Sequence, residues 1–334
     1  MRSKGLCIMV IILLLVTHQL PLGSGSYAGD KPLHTVMHDE LRGGVLFTLG
    51  DSRYSGQLRY NETYTVNFDL TGMGSKEVQV ARLYVYWVWS QRENVGVYPT
   101  MGIGASGTTP SFVTLYTDTK GFVGRYDYFS GVTVYECHLE LREAGNSYSV
   151  TITNEDVNGS TFSLQGIGLL LLYECAEHDQ ACPRIAYWIT EGCDMIYADY
   201  GITPEMATSR IYFEGDLDLK RVKRAQLITI VPSGGYIQRG ETAHNVLYFN
   251  EEIGWLTHLP FLKSLLRLLF GYGGGIWSDV YIATETLQIA IDQRDVTAYL
   301  KTSNNFAAIQ DNHDYMMVTN ALLVVELSEE SEKK

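Results

Sequence analysis

"VQVARLYVYW", Val78 to Trp87, returns later in the chain as "VKRAQLITIV", Val222 to Val231, with Ala81 matching Ala225 and Leu83 matching Leu227. A strand-like segment precedes each copy, "TYTVNFDLTG" (Thr63 to Gly72) and "TSRIYFEGDL" (Thr208 to Leu217). The echo continues downstream, where "LQGIGLLLLYE" (Leu164 to Glu174) resembles "VTNALLVVELSE" (Val318 to Glu329), each an apolar run closed by a glutamate, Glu174 or Glu326. Self-similarity over so long an interval is the mark of a duplicated structural unit. The reading is one domain present twice.

Each unit consists of short runs rich in Val, Ile, Thr, Tyr and Phe, set between Gly, Asn, Asp and Ser clusters, as in "NSYSVTITNEDVNGSTFSLQG" (Asn146 to Gly166). Tyr148, Val150 and Ile152 alternate with Ser149, Thr151 and Thr153, so one sheet face is buried and the other wet. Leu169 to Leu172 is apolar on both faces and reads as a central strand. "DVTAYLKTSNNFAAIQ" (Asp295 to Gln310) reads as a turn followed by a strand. Many short strands without strand–helix alternation predict an all-β chain of two tandem antiparallel β-sandwiches, jelly-roll-like, over residues 43–180 and 181–328.

One segment departs from that pattern. "THLPFLKSLLRLLFGYGGGIW" (Thr257 to Trp277) carries Pro260 where a first helical turn tolerates it and Gly271 where a helix ends. Residues 260–270 therefore read as one short amphipathic helix, about 16 Å long, inserted in the second domain. Lys263, Ser264 and Arg267 share one side, and Phe261, Leu262, Leu265, Leu266, Leu269 and Phe270 supply a wide apolar face. That face predicts an end plug for its own sandwich, a docking surface for another subunit, or contact with a membrane surface.

The termini carry address information. Arg2 and Lys4 precede twelve mostly apolar residues, Gly5 to Val16, followed by Pro21, Gly23, Ser24 and Gly25. This is the layout of a secretory signal peptide over residues 1–28, and the run is short of the roughly 20 residues a membrane-spanning helix needs. Residues 29–42 read as a polar linker, 329–334 as a charged tail, and the mature chain as extracellular, with no membrane span after cleavage. With 25 Lys and Arg against 38 Asp and Glu the chain bears a formal charge of −13, and loss of Arg2 and Lys4 makes it more acidic. That balance excludes nucleic acid as the expected partner.

An exported chain can keep disulfides, and Cys137, Cys175, Cys182 and Cys193 form an even set whose pairing, within or between chains, spacing does not reveal. The alternative, a metal held by Cys175, Cys182 and His178, matches no common zinc spacing. Asn61-Glu62-Thr63 and Asn158-Gly159-Ser160 are N-glycosylation sequons, which predicts exposed turns at both.

Motifs for chemistry are sparse. "GIGASG" (Gly102 to Gly107) spells a dinucleotide fingerprint but leads through Pro110 into the strand-like "SFVTLYT" and not into a helix, so it reads as a Gly-rich loop. "HTVMHDE" (His34 to Glu40) holds two histidines four apart beside two acids and is taken as solvated linker, and His313 between Asp311 and Asp314 as a polar turn. The acids Glu251, Glu252, Asp216, Asp218, Asp292 and Asp295 read as surface charge, with Ca2+ in sandwich loops a minor alternative. No other cofactor is expected and no catalytic residue is assigned. Among 23 Tyr and 5 Trp, Tyr84, Tyr86, Trp87 and Trp89 could stack on a sugar or a neighbouring subunit, with packing inside the protein the competing reading.

Five blocks occur in order: "GGVLFTLGDSRYSGQL" (Gly43 to Leu58), "VARLYVYWVWS" (Val80 to Ser90), "FSLQGIGLLLLYE" (Phe162 to Glu174), "AYWITEGCDMIYA" (Ala186 to Ala198) and "ITPEMATSRIYFEG" (Ile202 to Gly215). Together they resemble domain of unknown function 3344, found on secreted and cell-surface proteins of methanogenic archaea. The resemblance implies an exported envelope protein and carries over no activity. Combined with the missing catalytic motifs, it leads to a non-enzymatic building block of a surface layer, sheath or extracellular filament. Such a chain would partner itself or other envelope proteins. A carbohydrate-binding or adhesion module, with glycans as partners, is second, and a glycan-active hydrolase, which needs two carboxylates across one cleft, is third.

Overall fold

The computed structural model describes residues 29–74, 76–119, 128–141, 146–175, 182–199, 201–234, 244–251, 273–283, 287–313 and 315–328. The first half contains β1 (His34–Thr48), β2 (Gln57–Leu58), β3 (Thr63–Asp69), β4 (Glu77–Arg92), β5 (Val95–Gly96), β6 (Met101–Ala105), β7 (Ser111–Asp118), β8 (Phe129–Glu136), β9 (Ser147–Asn154) and β10 (Thr161–Glu174). The second contains β11 (Arg184–Tyr197), β12 (Thr208–Asp216), β13 (Val222–Pro232), β14 (Val246–Phe249), β15 (Gly275–Ser278), β16 (Ile289–Asp295), β17 (Ser303–Gln310) and β18 (Tyr315–Leu327). Every ladder between these strands is antiparallel. The expected helix at 260–270, with Phe261, Leu262, Leu265, Leu266, Leu269 and Phe270, lies outside the described residues. Among those described, helical geometry is confined to two single turns, Thr71–Met73 and Thr297–Tyr299, and no helix is long and apolar enough to cross a membrane.

Six strands of each half take matching places. β10, β4 and β8 lie side by side in the first half, as β18, β13 and β16 do in the second. Opposite them, β3, β9 and β6 pair in the order in which β12, β17 and β14 pair. Ala81 faces Leu171 across its ladder and Ala225 faces Val325, so the repeated alanines face their partner strands alike. Period-two alternation does the sorting: on β9, Tyr148, Val150 and Ile152 are buried and the residues between them are half-buried or exposed.

Alternation on the longest strands packs the sheets into four layers. Leu83, Val85 and Trp87 of β4 point with Leu169 and Leu171 of β10 toward Val66, Phe68, Val150 and Ile152 of the small sheet, forming the first core. Ala186 and Trp188 of β11 and Leu323 and Val325 of β18 pack on Ile211, Phe213, Leu247 and Ile309, forming the second. The opposite faces of the large sheets meet each other: Tyr84, Tyr86, Leu170 and Leu172 touch Tyr187, Ile189, Ile230 and Leu322 in a third core. β10 and β18 are apolar on both faces because each lies between two such layers.

β1 joins the layers, and here the linker reading of residues 29–42 is corrected. His34 to Arg42 pair with β11, and Gly43 to Thr48 pair with β10, so one strand serves both halves and the large sheets merge into one of 11 strands. The polar look of "HTVMHDE" has a physical cause. His34, Val36, His38 and Asp39 are exposed, while Met37 and Leu41 pack against the third core, so the segment is an edge-on strand with one wet face. At the crossing point a Cβ on Gly43 would collide with the Tyr173 carbonyl, and one on Gly44 with the Tyr173 ring, so only glycine lets the chain pass.

Candidate functional site

The layers bring polar side chains together in places the sequence does not advertise. At the centre of the third core, Glu191 of β11 accepts hydrogen bonds from Arg82 Nη1 at 2.5 Å, Tyr84 Oη at 2.8 Å and Tyr116 Oη at 3.2 Å. Arg82 and Glu191 are both buried. Burial, reinforced by the Glu191 charge, pushes the Tyr116 hydroxyl up to about 12 and moves Tyr84 in the same direction. Tyr86 Oη donates to Asn320 Oδ1 at 2.8 Å, and Gln165 Nε2 to Ser233 Oγ at 2.6 Å, so the two halves are bolted by several polar contacts. Buried or half-buried and paired across the two halves, these groups are joints.

A second cluster lies at the end of this seam. Asp30, Asp118 and Asp194 bring one carboxylate oxygen each within 4.8 Å of one another, the last two buried. Three carboxylates suit a hard divalent cation. However, the Lys31 ammonium stands 2.9 Å from Asp118 Oδ1, and Asp118 Oδ2 accepts the Met195 N–H at 2.8 Å. A third group surrounds Glu40, which receives both Arg221 Nη atoms at 3.0 Å and Arg184 at 2.9 Å. The Arg221 hydrogen bond holds the Glu40 carboxyl below its ordinary value. His38, beside it, stacks on Trp188 at 4.2 Å and donates Nδ1–H to the Tyr187 carbonyl at 3.0 Å. The histidines of "HTVMHDE" are thus strand residues, each with a structural partner, His34 pairing with Glu214 at 2.9 Å.

The open concavity of the seam is a cleft of about 400 Å³ where β1 crosses, lined by Lys76, Tyr173, Arg224, Gln226, Glu326 and the Cys175–Cys182 disulfide. Among the described residues Glu326 is the carboxylate of that lining, and Lys223 pairs with it at 3.5 Å. Lys76 sits over the Tyr173 ring at 4.5 Å.

The cysteines are now resolved. Cys175 and Cys182 pair within the chain, while Cys137 and Cys193 are both buried outside that disulfide. Burial raises the Cys137 thiol, which leaves it protonated and inert. Cross-linking of chains through Cys137 or Cys193 would require their strands to open. At the sequons, Asn61 and Asn158 are both exposed, but the Asn158 amide donates to Asp156 Oδ1 at 3.1 Å and Ser160 is buried.

Of the four aromatics singled out, Tyr84, Tyr86 and Trp87 are enclosed, each with its polar atom hydrogen-bonded, Trp87 Nε1 to Thr133 Oγ1 at 3.1 Å. Packing explains them. Trp89 is 41% exposed. Strict alternation would place it beside Trp87 on the core face, but a bulge moves it: β10 and β8 both skip Trp89 in their registers, and its φ is 59°. The sequence holds no turn signal there that would have announced this.

The remaining feature is a sheet edge among the described residues. The large sheet facing β3, β9 and β6 is wider than that three-stranded sheet, and β7 closes one end of the 11-strand order. Phe112 is 64% exposed, Leu115 37% and Val113 36% along this strand. A bulge between Phe112 and Thr114 interrupts its pairing with β8.

Fold and site together define an all-β protein whose antiparallel sheets stack in layers around a buried polar joint. The chain belongs to the family described as protein of unknown function (DUF3344), whose model matches residues 26–326. No curated protein matches it. Among solved structures it is similar to peptide-N(4)-(N-acetyl-beta-D-glucosaminyl) asparagine amidase, at 8% identity over 85% of this chain and 96% of that one, with a TM-score of 0.25. PNGase F, a glycosylasparaginase from Flavobacterium meningosepticum, aligns at 8% identity over 85% and 96% with a TM-score of 0.21. A chain of Sulfolobus turreted icosahedral virus aligns at 10% identity over 87% and 92% with a TM-score of 0.19. Likenesses this loose assign nothing to the site.

Proposed function

We propose that the protein is exported and serves as a non-enzymatic building block of a cell-envelope layer, sheath or filament, its two halves acting as jelly-roll-like sandwiches. The observation that carries the reading is β7, the last strand of its sheet among the described residues, along which Phe112, Val113 and Leu115 are exposed. An exposed apolar edge strand is a template for another chain, and soluble proteins usually blunt it with charge or cover. The basic-then-apolar N-terminus and the Cys175–Cys182 disulfide support export. Envelope residence in a methanogen follows only from the family resemblance.

The reading is tested by light scattering and electron microscopy of the mature chain, with and without reductant and with Ca2+ added. Ordered polymers or oligomers are expected, and because Cys137 and Cys193 are buried, reductant should not disperse them. Phe112→Lys with Leu115→Lys should yield monomers. A wild-type chain that stays monomeric in every condition overturns the proposal.

A further inference from the structure

We propose that Lys31 and Asp118 are joined by an intramolecular amide, formed from the Lys31 amine and the Asp118 side-chain carboxyl with loss of one water. The reactants already touch. Lys31 Nζ stands 2.9 Å from Asp118 Oδ1 and donates to the Thr117 carbonyl at 3.0 Å, so the nitrogen is held beside the carbon that it would attack. The Asp118 side chain is 1% exposed, whereas that of Lys31 is 46% exposed and reaches it from the solvent side. Holding an amine against a carboxyl in this way replaces the encounter of two molecules, which removes a large part of the barrier to their condensation. Three carboxylates would suit a divalent cation, but a lysine ammonium in their midst is the wrong neighbour for one and the right one for acylation.

The groups around the pair fit each part of the step. Asp118 Oδ2, the oxygen not engaged by the lysine, accepts the Met195 N–H at 2.8 Å. When the amine adds to the Asp118 Cγ, negative charge gathers on that oxygen, and a backbone donor already aimed at it stabilises the tetrahedral intermediate. Asp30 and Asp194 each bring a carboxylate oxygen within 4.8 Å of that of Asp118, near enough for proton transfer directly or through one water, and Asp194 is fully buried. The balance closes without an oxidant or co-reactant. The Lys31 ammonium passes one proton to Asp194 and its nitrogen bonds to Cγ. The bond from Cγ to Oδ1 then breaks, and Oδ1 leaves as water with the proton returned by Asp194 and a second one from the nitrogen. One proton stays on the amide nitrogen, and Oδ2 remains as the amide carbonyl on the Met195 N–H.

Such a bond would strap the halves together. Asp118 ends β7 in the first half, Met195 lies on β11 in the second, and Leu33, two residues after Lys31, is buried in the second core. The Cys175–Cys182 disulfide spans a sequence separation of only 7 and supplies no tie of this length. The proposal needs a single copy of the chain, so it stands or falls apart from assembly. The experiment is mass spectrometry of the mature chain, made in a bacterial host that adds no glycans, reduced and alkylated, beside Lys31→Arg and Asp118→Ala. Wild type should weigh one water less than its sequence requires, and both variants should have full mass. Proteolysis of wild type should release a branched peptide that contains Lys31 and Asp118 joined through the lysine side chain. Asp194→Asn, which keeps the shape of the carboxylate but cannot carry the proton, should accumulate at full mass while retaining the wild-type far-UV dichroism. A wild-type chain at full mass overturns the inference. So does a water deficit that persists in Lys31→Arg, or one that maps to a cyclised aspartate with no branched peptide.

Discussion

Removing Arg82 tests the polar joint between the two halves. In Arg82→Met the Glu191 carboxylate stays buried in the third core with only the Tyr84 and Tyr116 hydroxyls to satisfy it, having lost its 2.5 Å partner. An uncompensated buried charge costs about 3–5 kcal/mol, whereas replacing both members of a buried pair by apolar residues is often close to neutral. Arg82→Met should therefore lower stability by about 3–5 kcal/mol, and Arg82→Met with Glu191→Leu should recover most of that loss. The assay is urea unfolding followed by tryptophan fluorescence. Trp87 lies in the first core and Trp188 in the second, so the signal senses both halves. A single-variant loss below about 1 kcal/mol, or a double variant whose loss is the sum of the singles, would refute the reasoning. Tyr84→Phe removes one hydrogen bond to the charge and should cost about 1.5–3 kcal/mol in the same assay.

Other outcomes follow from the same geometry. Tyr116 is raised to about 12, and Tyr84, Tyr86 and Tyr281 are raised too, so the unfolded chain releases phenolic protons first. Stability should hold below about pH 10 and fall as pH rises toward 12, read as alkaline unfolding in near-UV absorbance. Glu40 is lowered by Arg221, so its contribution should be present at neutral pH and lost as pH falls through its depressed value; Glu40→Gln should flatten that acid limb. Gly43→Ala places a methyl against the Tyr173 carbonyl and should cost at least about 2 kcal/mol, measured as a drop in Tm. Replacing Cys175 and Cys182 with Ser opens a closure of sequence separation 7 and should cost about 2.5 kcal/mol, with no change in oligomeric state.

How far the chain could be read in advance follows from where each signal resides. The alternation of Tyr148, Val150 and Ile152 and the two-faced run Leu169 to Leu172 were legible because a strand's burial period is written in adjacent residues. The repeat around Ala81 and Ala225 announced equivalent strands, and these take equivalent places. "HTVMHDE" misled because its exposed face is all that composition registers, while its hydrogen bonds run to β11, more than a hundred residues away. Whether Tyr84 and Tyr86 stack on a ligand or pack inside the protein stayed open for a similar reason: nothing local says that a second sheet covers them.

By itself, then, the sequence determined strands, their inner faces and the duplication, since all three depend on side-chain order along an extended backbone. The tertiary structure decided which faces met. It placed Arg82 on Glu191, paired Cys175 with Cys182 while enclosing Cys137 and Cys193, and put a bulge under Trp89. Each of these depends on contacts between distant strands, whose geometry is set by how twisted sheets stack and by how a ladder absorbs one extra residue.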